Sequence, residues 1–141
     1  MARIVVSVAC SALLLAATGA LAQSFDGKWA GEMNCAKLSF ASGPAKIPFE
    51  VTVSGALVTY SRQVSSSDGS EFIGIEEGTG IVSPDGKITL KAVGKSAGRK
   101  LNYTATYSGN LTDTSGSLTG TQAWTSEHGT EDRACTITLQ H

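Results

Sequence analysis

Phe25-Asp26-Gly27-Lys28-Trp29-Ala30-Gly31-Glu32-Met33-Asn34-Cys35 is the stretch whose reading decides the fold. It reads as the first strand of the folded chain, over about 27–35, and it ends on Cys35. Beyond residue 22 the only other cysteine is Cys135, near the far end of the chain. Two cysteines in an exported chain read as one disulfide. It would close a loop of about 100 residues, for which chain entropy gives about 4.7 kcal/mol.

The export reading comes from what precedes that strand. Arg3 supplies a positive start, Ile4 to Ala17 is an apolar run, and Ala20-Leu21-Ala22 is a small-x-small cleavage pattern. Residues 1–22 are therefore expected to be a cleaved signal peptide and 23–141 a single domain, periplasmic or secreted. The apolar run is too short to span a bilayer, and Ser7-Val8-Ala9 before Cys10 makes a poor lipidation box. Without Arg3, ten basic side chains face twelve acidic ones. That balance argues against nucleic acid or an anionic membrane as the main partner, and since no later run approaches the ~20 apolar residues that spanning needs, no stable membrane insertion is expected.

Residues 23–141 alternate apolar and polar with a period of two, broken by Gly, Asp and Ser turns. Strands are predicted at about 27–35, 47–54, 56–64, 71–83, 87–94, 100–110, 117–126 and 131–140. The inward sets are Ile47, Phe49, Val51 and Val53; Val58, Tyr60 and Val64; Ile73, Ile75 and Ile81; Ile88, Leu90 and Ala92; Leu101, Tyr103, Ala105 and Tyr107; Leu118, Gly120 and Trp124; and Cys135, Ile137 and Leu139. Arg62, Glu77 and Gln122 fall on these faces and break them. Either they wait for a ligand or partner, or Arg62 reaches the rim and Glu77 marks a shift of phase in the fourth strand.

Eight sequential strands with hairpin links predict an all-β, antiparallel up-and-down β-barrel, since closure removes both edges. The cysteines support closure. With strand one running up and strand eight down, both lie at the upper end of neighbouring strands. Ser54-Gly55, Ser83–Gly86 and Asp113–Gly116 make the lower end tight. The longer links 36–46, 65–70, 94–99 and 126–130 make the upper end a mouth.

Gly27-Lys28-Trp29 resembles the Gly-x-Trp signature of the calycin superfamily, the lipocalins and avidins. The resemblance implies an eight-stranded barrel in which Trp29 plugs the closed end beside Gly27, both structural. Calycins also pack a basic residue of the last strand over that Trp; Arg133, the arginine on this last strand, falls at the opposite end. The chain is also similar to small uncharacterised exported bacterial proteins, which implies a periplasmic home.

Little chemistry stands out. The two histidines, His128 and His141, are expected at opposite ends of the barrel, and His128 falls in a loop with no orienting motif, so neither a metal site nor a nucleophile–base pair is expected. Gly78-Thr79-Gly80 is not followed by a helix and reads as a bulge or close packing. Asn102-Tyr103-Thr104 and Asn110-Leu111-Thr112 match glycan sequons by chance. No enzyme activity and no cofactor are expected. Any binding is expected at the mouth, around Arg62, Gln122, Trp124 and Arg133, which suit a small anionic ligand. The alternative is a protein-interaction module such as a periplasmic protease inhibitor, although only Gln23-Ser24-Phe25 precede strand one as an insertable arm. A cavity favours the first reading and a filled barrel the second.

Overall fold

The computed structural model describes residues 24–66, 70–96, 102–127 and 129–141. The signal-peptide reading, Leu101, His128 and the middles of two upper loops lie outside them.

Eight strands form a closed barrel in which each pairs antiparallel with its sequence neighbours and the last with the first. They are β1 (Gly27–Cys35), β2 (Ala45–Ser54), β3 (Leu57–Ser65), β4 (Phe72–Val82), β5 (Lys87–Ser96), β6 (Asn102–Leu111), β7 (Ser115–Ser126) and β8 (Gly129–Gln140). The period of two dictates this shape: one face of every strand is buried and the other polar, and curling the sheet gives the buried faces one shared interior. The predicted strands are recovered to within two residues at every end. β5 runs on to Ser96, so its upper loop begins later than the Gly94-Lys95 pair suggests.

Turn chemistry sets the register. Ser54 pairs with Leu57 around Gly55-Ala56, and Gly55 has φ 60°; a two-residue hairpin with glycine first and φ positive is a type II′ turn. Ser83 and Lys87 close the next hairpin, with Gly86 at φ 84° after Pro84-Asp85.

That second hairpin overturns the expected facing of β4. It pairs Val82 with Ile88, and directly opposed residues share a face. Val82, Gly80, Gly78, Glu76 and Gly74 therefore point inward, while Ile75, Glu77 and Ile81 point out; Ile81 is 65% exposed and Ile75 47%. The apolar content of β4 favoured the other phase. The inward glycines win because the barrel needs their space. A Cβ at Gly78 would stand 2.1 Å from the Tyr60 ring, and one at Gly80 would meet Leu90. Gly78-Thr79-Gly80 thus marks close packing.

Cys35 and Cys135 are direct partners in the β1–β8 ladder and form the disulfide, with Cα atoms 4.0 Å apart. At the lower end Trp29 is fully buried, and its indole N–H donates to the Phe25 carbonyl at 2.9 Å. His141 stacks on Trp29 with centroids 4.6 Å apart. The C-terminal imidazole, not Arg133, is what covers this Trp.

The wall is uneven. β2 and β3 pair over only three positions, Thr52–Thr59, Val53–Val58 and Ser54–Leu57, whereas every other neighbouring pair is matched over six or more. Above Thr52 and Thr59 the two strands part. Among the described residues no helix is long and apolar enough to cross a membrane.

Candidate functional site

The upper half of the interior is polar. Glu76 of β4 is fully buried, and three tyrosines converge on it. Tyr60 donates to Oε1 at 2.7 Å, Tyr107 to Oε1 at 3.1 Å and Tyr103 to Oε2 at 2.6 Å. Each tyrosine lies directly across from a glycine: Tyr60 from Gly78, Tyr103 from Gly94 and Tyr107 from Gly120. A glycine partner leaves room for a ring to lie along the wall and aim its hydroxyl at the centre. Burial, then the negative charge of Glu76, pushes all three phenols well above the ordinary tyrosine range.

Arg62 of β3 sits opposite Glu76 in the ladder and forms an ion pair with it. Its Nη2 also donates to the Tyr103 hydroxyl at 3.2 Å and its Nη1 to the Gln63 carbonyl at 3.3 Å. Burial works against the guanidinium charge, but Glu76 together with Tyr103, Tyr107 and Tyr60 outweighs it and the pKa of Arg62 rises. Its Nε, also buried, has no hydrogen-bond partner.

A second tier joins Gln122, Trp124 and Arg133. The Gln122 amide donates to the Tyr107 hydroxyl at 2.7 Å. Its Oε1 accepts from Trp124 Nε1 at 3.1 Å and from Arg133 Nε at 2.7 Å. The Arg133 guanidinium lies 5.2 Å from the Trp124 ring centroid, a cation–π distance. Trp124 also stacks on Tyr103 with centroids 4.2 Å apart. Burial, then repulsion from Arg62, lowers the pKa of Arg133. Among the described residues no carboxylate lies within ion-pair distance of Arg133, so two buried guanidinium groups share one buried carboxylate.

Above this network lies an open cavity of about 670 Å³. Arg62, Arg133 and Trp124 are on its inner wall, and Leu38, Phe40, Ile47, Val64 and Ile73 supply apolar lining. The β1–β2 connection folds over the mouth. Leu38 is buried, the Ser39 N–H and hydroxyl bond to the Glu131 carboxylate, and Phe40 meets the edge of Trp124 at 6.0 Å.

The structure therefore brings Arg62, Gln122, Trp124 and Arg133 together at the upper end. Arg62, Trp124 and Arg133 line the cavity. Gln122 is fully buried beneath it, with its amide committed to the residues around it. Glu77, read from the sequence as an inward charge, is on the outer surface, and its neighbour Glu76 holds the interior position. Sequence reasoning missed Glu76 and the tyrosine cluster around it. The glycine facing each tyrosine was the available signal. Among the described residues no three His, Cys, Asp or Glu side chains gather where they could hold a metal ion.

Comparison with known protein families, with curated proteins and with solved structures finds no match.

Proposed function

We propose that this is an exported, calycin-like β-barrel that binds a small carboxylate-bearing ligand at its open end. The observation that carries the reading is the charge count at the cavity floor: Arg62, paired with Glu76, and Arg133, which has no carboxylate within ion-pair distance among the described residues, are both largely withdrawn from water. A buried charge without a partner is costly, and an incoming carboxylate would relieve that cost with charge-assisted hydrogen bonds. Apolar lining around a few convergent polar groups is the usual make-up of a small-ligand site, and about 670 Å³ lies in the range such sites occupy. Export to the periplasm or beyond is supported by the Arg3–Ala22 pattern and by the disulfide, which belongs to an oxidising compartment.

The test is calorimetric titration with benzoate and with its neutral counterpart benzamide. Benzoate should bind saturably, benzamide at least tenfold more weakly, and Arg133→Leu should lose the difference. Equal binding of the two compounds would sink the reading.

A further inference from the structure

The parting of β2 and β3 leaves two strand edges facing one another beside the cavity. Their orientation follows from the hairpin that joins them. Ser54 and Leu57 close the two-residue turn. In an antiparallel ladder the residues that turn both N–H and C=O to one neighbour alternate along the strand. Counting up from that turn, Lys46, Pro48 and Glu50 of β2 and Ser61, Gln63 and Ser65 of β3 direct their backbone groups into the gap. Continued pairing would set Pro48 against Gln63. Proline has no N–H to give, so the donor row of β2 breaks there. The edge of β3 keeps all its donors. Both edges border the cavity, whose lining includes Lys46, Ile47, Pro48, Arg62, Gln63 and Val64.

We infer that the gap receives the C-terminal end of an extended peptide, which adds as a strand to the edge of β3 and places its terminal carboxylate at Arg62 and Arg133. Three observations fix this occupant. An edge whose N–H groups have no ladder partner among the described residues, beside an open cavity, is the arrangement used in strand addition, where main-chain hydrogen bonds give affinity and alternate side chains enter pockets. The gap is a wedge that shuts at the Thr52–Thr59 pair, so an inserted segment must be a chain end. Arg62 and Arg133 repel an amino terminus and attract a carboxylate. From Ser65 down to Ser61 the edge offers five positions, about 17 Å of strand, which suits a tail of four or five residues. This inference rests on the carboxylate site above and adds the class of molecule that carries the carboxylate.

The experiment follows Trp124 fluorescence during titration with an equimolar mixed-sequence pool of N-acetylated pentapeptides. Parallel titrations use the C-amidated pool, pools N-methylated at every second residue in each of the two phases, and benzoate. We expect the free-acid pool to bind more tightly than benzoate, the amidated pool at least tenfold more weakly, and one N-methylated phase at least tenfold more weakly. Gln63→Pro removes the central donor of the β3 edge without touching a ladder bond, and it should lose the peptides while keeping benzoate. Peptides no tighter than benzoate, both N-methylated pools binding like the parent pool, or peptide binding unchanged in Gln63→Pro would each overturn the inference and leave the carboxylate site standing. Binding of neither benzoate nor peptides would overturn both.

Discussion

Arg62 and Glu76 face each other across the β3–β4 ladder as an ion pair inside the barrel, their side chains 9% and 0% exposed. A pair at that depth is held by mutual need. Little of Arg62 and none of Glu76 reaches water, and the three tyrosine hydroxyls are all aimed at the carboxylate. Removing one member of a buried pair strands the other and costs about 3–5 kcal/mol. Glu76→Gln should therefore lower stability by that order in urea unfolding. A loss below about 1 kcal/mol would mean that Arg62 finds solvent unaided.

The same cluster predicts the alkaline limit. Tyr60, Tyr103 and Tyr107 are the only tyrosines of the chain, and all three have raised pKa values in the fold. The folded state holds these protons more tightly than the unfolded state, so stability is unaffected below the unfolded value of about 10 and falls as pH rises above it. Absorbance at the phenolate band should show no tyrosine ionising until the barrel unfolds. The transition should be cooperative and should coincide with loss of the far-ultraviolet circular dichroism signal. A gradual titration of one or more tyrosines in the folded protein would contradict the burial of the cluster.

The contrast between β4 and the other strands explains what the sequence makes legible. β2, β5 and β6 each carry one clearly apolar face, and alternation alone finds it. β4 carries two imperfect faces, one with Ile73, Ile75 and Ile81, the other with three glycines, Glu76 and Val82. Local hydrophobicity selects the first and the fold selects the second, because facing is inherited from β5 through the Ser83–Lys87 turn and because the tyrosines need glycine partners. Propagating the facing of Ile88 back through that hairpin would have found Glu76. The parting of β2 from β3 has a weaker signature. Pro48 permits it, but only the assembled barrel shows the β2–β3 ladder ending at Thr52 and Thr59, below that proline.

Cys35 and Cys135 tie the seam where the first strand meets the last, across a sequence separation of 100 residues. Reduction releases a large loop into the unfolded ensemble, so Cys35→Ser with Cys135→Ser should cost about 2–5 kcal/mol. Denaturant midpoints with and without reductant give the measurement. Identical midpoints would show that the β1–β8 ladder needs no covalent tie.

Trp29 closes the lower end between Phe25 and His141. Its truncation leaves a large void and removes the partner of the Phe25 carbonyl. Trp29→Ala should destabilise by about 3–5 kcal/mol, while binding of benzoate by the fraction still folded stays at the parental level. A change in affinity would mean that the two ends of the barrel are coupled.

Arg133 separates function from stability. It is buried, it lacks an ionic partner among the described residues, and it shares the interior with a second guanidinium. Its contact with Gln122 is not the only one that oxygen has, because Trp124 Nε1 donates to the same Oε1. Arg133→Leu therefore strands no acceptor, and it removes a desolvated charge and its repulsion with Arg62. Exchanging buried ionic groups for well-packed apolar ones is often neutral or stabilising by about 1–4 kcal/mol. The variant should melt at or above the parental temperature while losing at least tenfold in affinity for benzoate. Arg62→Leu should differ, because it leaves Glu76 without its counter-ion, and should lose stability as well as binding. If Arg133→Leu is instead the less stable of the two, Arg133 is a structural cation and the charge excess at the cavity floor has another purpose than receiving a carboxylate.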